Sequence, residues 1–341
     1  MVWKPKEKEL SQEEAVALAK NDLKPYWHSS PPLFIAIQTD NGTHNIYPLN
    51  DEFEKKDWVI LVLDLMSYNG ENALSQLIEQ QRRYAALGIN FLAVLTAPYE
   101  FLKKRSLLEI LLQQLHLPYI CVLDSDNAIK SALQIQEFPD YILLTQGKIL
   151  ERSAGVNAAY HFEKMIQKFV RTNEHGLPLL PLYQTETPPL LDTGSYEFPR
   201  DAEHANIVLK GRWKKEKEWI ETDDSDAQIQ FKAMTPFVAL VAGPAKELLE
   251  LESARIAIEI NEAPIIDLFS GKNIEFDEEG RTVVRCLHPG FFHILKDLTV
   301  DLKTIHLFFP IAKRIPVRIY SIKFSEPQKI ENSGEPASGS S

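Results

Sequence analysis

The places where this chain could do chemistry are two thiols, a pair of histidines, an acidic run, a Trp-flanked basic stretch and one amide-rich turn. Cys121 and Cys286 lie far apart, each inside an apolar strand-like segment, PYICVLD and VVRCLHP. A thiol reacts as its thiolate, and burial opposes that ionisation, so both read as small core-packing side chains. His288 and His293 of HPGFFH have no third ligand at a metal-binding spacing and read as strand-edge histidines. Asp223-Asp224-Ser225-Asp226 lacks the ligand spacing and bidentate glutamate of a calcium loop, so a solvated turn is the simpler reading. No metal and no cofactor is expected. In KGRWKKEKEW, Trp213 and Trp219 stand six apart and would share one face if the segment were extended, which makes them candidates for a sugar-stacking or nucleic-acid platform. Against this, alternating Lys and Glu suits a solvated strand, and Trp213 suits a core. No Ser-His-Asp set or paired-carboxylate motif is readable, and with 14 glycines in 341 residues a phosphate-cradling loop would be conspicuous.

The amide-rich turn is LDLMSYNGENALSQL, residues 63 to 77, where an apolar run meets an amphipathic one at Asn69-Gly70-Glu71-Asn72. The elements around it can be read from periodicity. Ser11 and Glu14 form a capping box before a short amphipathic helix that ends near Lys24-Pro25. PLFIAIQTDNGTHNIYPL predicts a hairpin turned at Asp40-Asn41-Gly42. Trp58 to Met66 is apolar except for Asp64, as in a strand covered on both faces. A helix over about Asn72 to Leu87 follows, with Gly88 stopping it, and Ile89 to Leu95 is a second buried strand. This β-α-β order implies a parallel pair with a right-handed crossover. A helix from Leu102 to Leu115, a strand from Tyr119 to Leu123 and a short helix from Asp126 to Leu133 come next. Phe138-Pro139 then precedes a hairpin, Asp140–Leu144 with Ile149–Ser153, and a helix from Ala158 to Val170.

Gly176 to Pro199 contains five prolines and little periodicity, the pattern of a linker. Beyond it the chain reads as all β: Asn206–Leu209, Ile229–Ala233, Phe237–Val241, Arg255–Ile260, Thr282–Cys286, Gly290–Leu295, Thr304–Phe309 and Val317–Phe324. The Ser-, Gly- and Glu-containing end should be disordered. The expected organisation is a helical extension over 1–29, an α/β domain over 30–172, a Pro-rich linker over 173–205, a β-sandwich over 206–325 and a disordered tail over 326–341.

Residues 58 to 170 resemble the TlpA-like and DipZ-like thioredoxins through GINFLAVLTAPYEF, PYICVLDSDNAI, FPDYILLTQGKI and YHFEKMIQKFV, in that order. VLKGRWKKEKEWI, FVALVAGP and ARIAIEINEAPI resemble the jelly-roll domain that follows thioredoxin in DipZ-like proteins. The resemblance covers about residues 30 to 325 and implies a thioredoxin-like α/β domain followed by a jelly-roll sandwich. In that family the turn carries Cys-x-x-Cys after an aromatic residue. Here Tyr68 falls at the aromatic, with Asn69 and Asn72 at the two cysteines. An amide has no thiolate to be stabilised at a helix N-terminus, and disulfide exchange needs sulfur at each step. The first cysteine of the chain is residue 121.

The simplest role for the turn is structural: Asn69 or Asn72 caps the helix, Gly70 permits a tight turn, and Glu71 favours the positive helix end. Alternatively the turn persists as a binding surface bordered by Tyr68, Glu71, Phe138 and Pro139. The resemblance implies a cis Phe138-Pro139 bond beside it. Two function classes stay open, a redox-inactive protein that binds a polypeptide or glycan, and a thiol-disulfide oxidoreductase using Cys121 or Cys286. A net charge of −11, with 44% hydrophobic and 25% charged residues, argues against nucleic acid or an anionic membrane as partner. Without a signal-like or membrane-spanning stretch, the expected location is cytoplasmic. Oligomeric state is left open by the sequence.

Overall fold

A computed structural model of the protein describes residues 34–35, 56–104, 107, 110, 120–124, 127–145, 148–155, 158–173, 182, 190–248, 252–266, 269–297 and 299–327. The chain divides into two compact units with the boundary between Gln184 and Thr185, and each is taken by itself.

The first unit is built on a sheet of six strands: β1 (Phe34–Ile35), β2 (Asp57–Asp64), β3 (Ile89–Thr96), β4 (Ile120–Asp124), β5 (Asp140–Thr145) and β6 (Lys148–Ala154), in the order β1-β4-β3-β2-β5-β6. β2, β3 and β4 run parallel, and the other pairs are antiparallel. Every residue from Trp58 to Leu63 is buried, which explains why β2 reads as an unbroken apolar run rather than an alternation. On one face Trp58, Ile60 and Val62 join Leu92, Val94, Ile142 and Leu144 against Ile129, Leu133 and Ile135. The helices α1 (Tyr68–Tyr84) and α3 (Ala158–Asn173) pack on the sheet and on each other, while α2 (Ala128–Ala132) follows β4. Each fully buried side chain of this kind contributes about 1.5–3 kcal/mol.

The α1–α3 contact includes a polar network. Tyr84 Oη donates to the buried Glu163 at 2.8 Å, Arg83 Nη1 donates to the same oxygen at 3.1 Å, and Gln167 Nε2 donates to Tyr84 Oη at 3.0 Å. Burial pushes the Tyr84 hydroxyl up to about 12. With its two parallel crossovers and closing hairpin, this unit is a thioredoxin-like fold, as the resemblance implied.

Several boundaries differ from expectation. α1 starts at Tyr68, four residues before the predicted start, because Ser67 supplies the cap. It continues as a 3-10 turn over Ala85–Leu87 and ends at Gly88, whose φ of 79° suits glycine. Glu100–Lys103 is a 3-10 turn at the start of the expected Leu102–Leu115 helix, most of which lies outside the described residues. The N-terminal helix and most of the Asp40-Asn41-Gly42 hairpin also lie outside them. Phe34–Ile35 is described and pairs with β4, Ile35 opposite Cys121.

The second unit is an all-β sandwich. One sheet holds β17 (Gly290–Lys296), β12 (Phe237–Pro244), β19 (Val317–Pro327), β10 (Ile220–Thr222) and β9 (Lys214–Lys215) in that order, with β7 (Leu190–Glu197) also on β19. The other holds β15 (Glu275–Phe276), β16 (Thr282–Cys286), β13 (Ala254–Ile260), β18 (Lys303–Phe308), β11 (Gln228–Ala233) and β8 (Ile207–Lys210), with β14 (Ala263–Pro264) on β13. All pairings are antiparallel. Ile229, Phe231, Leu240, Ile256, Ile305, Leu307 and Ile319 form its core, and β18 alternates buried and half-buried residues as a one-sided strand must.

Two expectations are corrected here. The stretch expected to be linker contains β7, because Leu190 to Glu197 pairs with β19 from Pro327 to Ser321; pairing needs backbone groups, which Asp192, Gly194 and Ser195 supply without apolar periodicity. Glu326 and Pro327, expected to begin the disordered tail, are the last residues of β19, opposite Leu191 and Leu190. Among the described residues no helix is long and apolar enough to cross a membrane.

Candidate functional site

The end of the first sheet where β2, β3 and β4 finish is also where β5 begins. Asp64 pairs with Thr96, Thr96 with Asp124, and Asp140 with Val62. That register carries Phe138–Pro139 to the end at which β2 passes into α1. The Phe138–Pro139 bond is cis, as expected; a second cis bond, Phe198–Pro199, had no signal in the sequence.

At the start of α1 the geometry is set by residues that reading the Asn-Gly-Glu-Asn run alone overlooked. Ser67 has an extended backbone and is the N-cap, so neither Asn69 nor Asn72 caps the helix; both lie inside its first turn and a half. Gly70 N–H donates to Ser67 Oγ at 2.9 Å, Ser67 Oγ donates to the Asp64 carbonyl at 3.0 Å, and Met66 N–H donates to Asp64 Oδ1 at 2.8 Å. Gly70 serves a close approach and not a tight turn, since a Cβ there would sit 1.7 Å from the Asp64 carbonyl oxygen. Ser67 was findable, because serine is a strong N-cap type one residue before the helix. Tyr68 is only 1% exposed, so it packs in the core and cannot line an open groove. Asn69, Glu71 and Asn72 are half-buried, and Glu71 sits in the first turn, where a negative charge is favoured.

The neighbouring corner is held differently. Asp140 is fully buried, and Arg152 Nε lies 3.0 and 2.9 Å from its two carboxylate oxygens, with Nη2 also on Oδ2. Arg152 Nη1 further donates to the Leu133 carbonyl at 3.0 Å. Burial raises the Asp140 carboxyl above its usual value, and the Arg152 guanidinium acts against that. Pro139 is buried and its carbonyl accepts Gly155 N–H at 2.9 Å. Phe138 is half-buried with Lys130 Nζ 5.2 Å from its ring centroid; among the described residues its backbone N–H and C=O have no hydrogen-bond partner. The buried Asp124 accepts from Ile129 and Lys130 N–H at 2.9 and 2.8 Å and so tethers α2.

Neither thiol belongs to this corner's chemistry. Cys121 lies within β4 and Cys286 within β16, both buried and in no disulfide, and burial pushes both thiols far above the ordinary thiol range. Among the described residues no group of three or more His, Cys, Asp or Glu is arranged to hold a metal ion. The Asp223–Asp226 run is a turn in which Asp224 accepts from Arg212 and Asp226 N–H, at 3.1 Å each.

The two tryptophans do not share a face. β9 and β10 form a hairpin with Lys215 opposite Ile220 and Lys214 opposite Glu221, and this register puts Trp213 and Trp219 on its opposite sides. Trp213 packs against the core, edge-on to Phe309 at 5.3 Å, with Nε1 donating to the Lys210 carbonyl at 2.8 Å. Trp219 lies under the Arg318 guanidinium at 4.5 Å and beside Tyr320 at 5.7 Å. The one-face expectation holds only for an extended segment, and the turn between β9 and β10 reverses the chain.

No protein-family model matches the chain, and no curated protein matches it. Several solved structures are similar to its first part. StoA of Bacillus subtilis is 16% identical, with 40% of this chain and 98% of that one covered and a TM-score of 0.30. The exposed lipoprotein thioredoxin of Streptococcus pneumoniae is 10% identical over 40% of this chain and 98% of its own, with a TM-score of 0.33. The thioredoxin domain of a thiol-disulfide oxidoreductase of Bacteroides vulgatus is 18% identical over 41% and 94%, with a TM-score of 0.30. The fold assignment itself rests on the sheet order and crossovers of the first unit.

Proposed function

We propose that the protein is a redox-inactive thioredoxin-like binding protein, in which the first unit holds a polypeptide without exchanging disulfides with it and a jelly-roll sandwich follows. The observation that carries this reading is the position of sulfur. The helix-start turn offers Asn69 and Asn72, and both cysteines are enclosed within strands where the thiolate is disfavoured. The polypeptide component is supported by Phe138, whose backbone donor and acceptor have no partner among the described residues and lie beside cis-Pro139, as an extended strand would require. Asn69, Glu71 and Asn72 supply polar side chains at the same end of the sheet.

Two measurements test the redox half. With dithiothreitol as reductant, insulin reduction should proceed no faster with the protein than without it, and Asn69→Cys combined with Asn72→Cys should raise the rate above that background. Thiol labelling of the native chain should be slow, with both cysteines labelled once it is unfolded. Rapid native labelling, together with turnover that disappears in Cys121→Ser, would establish the oxidoreductase reading instead. For the binding half, an extended polypeptide captured by the full chain should be released by Phe138→Pro, which removes the backbone donor, and by Glu71→Lys. Capture unaffected by both variants would overturn the site.

A further inference from the structure

Two connections cross between the sheets at one end of the sandwich: Met234 to Pro236 between β11 and β12, and Asp297 to Leu302 between β17 and β18. The second is not held by its apolar side chains, because Val300 and Leu302 are 55% and 61% exposed. It closes instead around Lys303, which opens β18 opposite Ala233 and is only 5% exposed. Lys303 Nζ lies 3.1 Å from Asp297 Oδ2 and donates to the Thr299 carbonyl at 3.1 Å and to the Asp301 carbonyl at 3.4 Å. Asp297 is buried as well, and its Oδ1 accepts both the backbone N–H and the hydroxyl of Thr299 at 2.9 Å. The Asp297 N–H donates to the Pro236 carbonyl at 2.7 Å, so the two connections are joined at the same residue that meets the ammonium.

An ammonium has three donors and no acceptor, and here three oxygens take all three. Among the described residues Asp297 is the one ion-pair partner of Lys303, so a single carboxylate balances a single cation. Burial alone would raise the Asp297 carboxyl, but the bonds from Thr299 and Lys303 outweigh it and hold the group below its usual value, charged at neutral pH. Taking an ammonium out of water is costly unless protein oxygens replace its hydration shell. Residues 297, 299 and 301 supply those oxygens from every second position, and residue 303 supplies the ion. A divalent metal is a poor match for this cradle, since calcium takes about six to eight oxygens at about 2.3–2.6 Å. The three oxygens here stand at 3.1 to 3.4 Å, which suits N–H donors.

We infer that residues 297–303 form a site for a monovalent alkylammonium ion whose resident is the chain's own Lys303, so that an internal cation closes this end of the sandwich. A free alkylammonium of matching length takes its place when the side chain is cut back. The cradle lies wholly in the second unit and is independent of polypeptide binding by the first.

The full chain carrying Lys303→Ala is followed by denaturant unfolding of the second unit. The variant should unfold at a lower denaturant concentration than the parent, and n-propylammonium chloride, which restores the atoms removed, should raise its midpoint saturably with a Kd of about 1–30 mM. Tetramethylammonium chloride at equal ionic strength carries the charge without an N–H donor and should restore nothing, while the parent chain should respond to the two salts alike. If Lys303→Ala does not fold alone, it should refold from denaturant only with propylammonium present. Lys303→Met keeps the length without the charge, and it should be less stable than the parent and indifferent to propylammonium. A Lys303→Ala chain that ignores propylammonium, or that responds equally to tetramethylammonium, would overturn the inference. So would parent-like stability of Lys303→Met, or tighter restoration of Lys303→Ala by calcium.

Discussion

The two corners at the end of the first sheet are built by opposite strategies. Among the described residues, the bonds that set the cap of α1 are short-range: Asp64 to Met66, Ser67 to Asp64 and Gly70 to Ser67 span no more than three residues. The Phe138–Asp140 corner is made of long-range ones, because Arg152 reaches back 12 residues to Asp140 and 19 to Leu133. Among the described contacts, the N-cap and the close approach at the first corner come from Ser67 and Gly70. The cap itself therefore does not depend on the residue types at positions 69 and 72. The second corner has no such freedom, since its buried carboxylate depends on one distant cation. In this protein the residue types that would define disulfide chemistry and the residues that define the turn's geometry are different residues.

The largest expected effect comes from making the local corner too large. In Gly70→Ala a Cβ would meet the Asp64 carbonyl at 1.7 Å, and the backbone of β2 or of α1 must move to relieve it. A loss of several kcal/mol, of the order of 3 or more, is expected in denaturant unfolding of the first unit. A near-neutral result would show that the turn has slack, and the contrast between the corners would fail.

Next in size is Arg152→Ala, which strands a carboxylate inside the protein and should cost about 3–5 kcal/mol near neutral pH. The pH dependence has a definite sign. The folded-state value for Asp140 lies above the ordinary 3.8, so its contribution to stability is fully present below that pH and is lost as pH rises through the folded value. Removing Arg152 takes away the influence that lowers this carboxyl, so the variant's window of protonation extends further up. Its deficit relative to the parent chain should accordingly narrow on acidification. A deficit that stays constant from pH 4 to pH 8 would mean that the guanidinium acts by packing, not by charge.

The contrast also explains what could be read without coordinates. β2 and β3 were legible because burial on both faces leaves continuous apolar runs, and β18 because burial on one face leaves alternation. The cis Phe138–Pro139 bond was implied by the family resemblance alone. The helix starts four residues before the expected Asn72 because two asparagines compete in sequence with Ser67 for the capping role, and only backbone geometry decides among three good cap types. Arg152 could not be identified, since nothing local marks a partner 12 residues away across a hairpin. The tryptophans misled for a similar reason. Their spacing implies one face only in an unbroken strand, and the run between them folds back on itself. Local patterns thus revealed the elements, whereas side chains acting across a turn stayed hidden.

The smallest effect sharpens the first corner. Ser67→Ala removes the oxygen that receives Gly70 N–H at 2.9 Å and leaves the first turn of α1 short of one acceptor. Loss of a serine cap typically costs about 1 kcal/mol, well below the expected effects at Gly70 and Arg152. The same substitution at Asn69 or Asn72, inside the helix and downstream of the cap, should cost less, because alanine is the better former of helix interiors. Chemical denaturation of the three single variants therefore ranks the residues directly. If Asn72→Ala proved the costliest, the amide that stands where a cysteine would be expected would be holding the turn. Sulfur could not then have been exchanged there without penalty, and the separation of shape from chemistry drawn from these two corners would not hold.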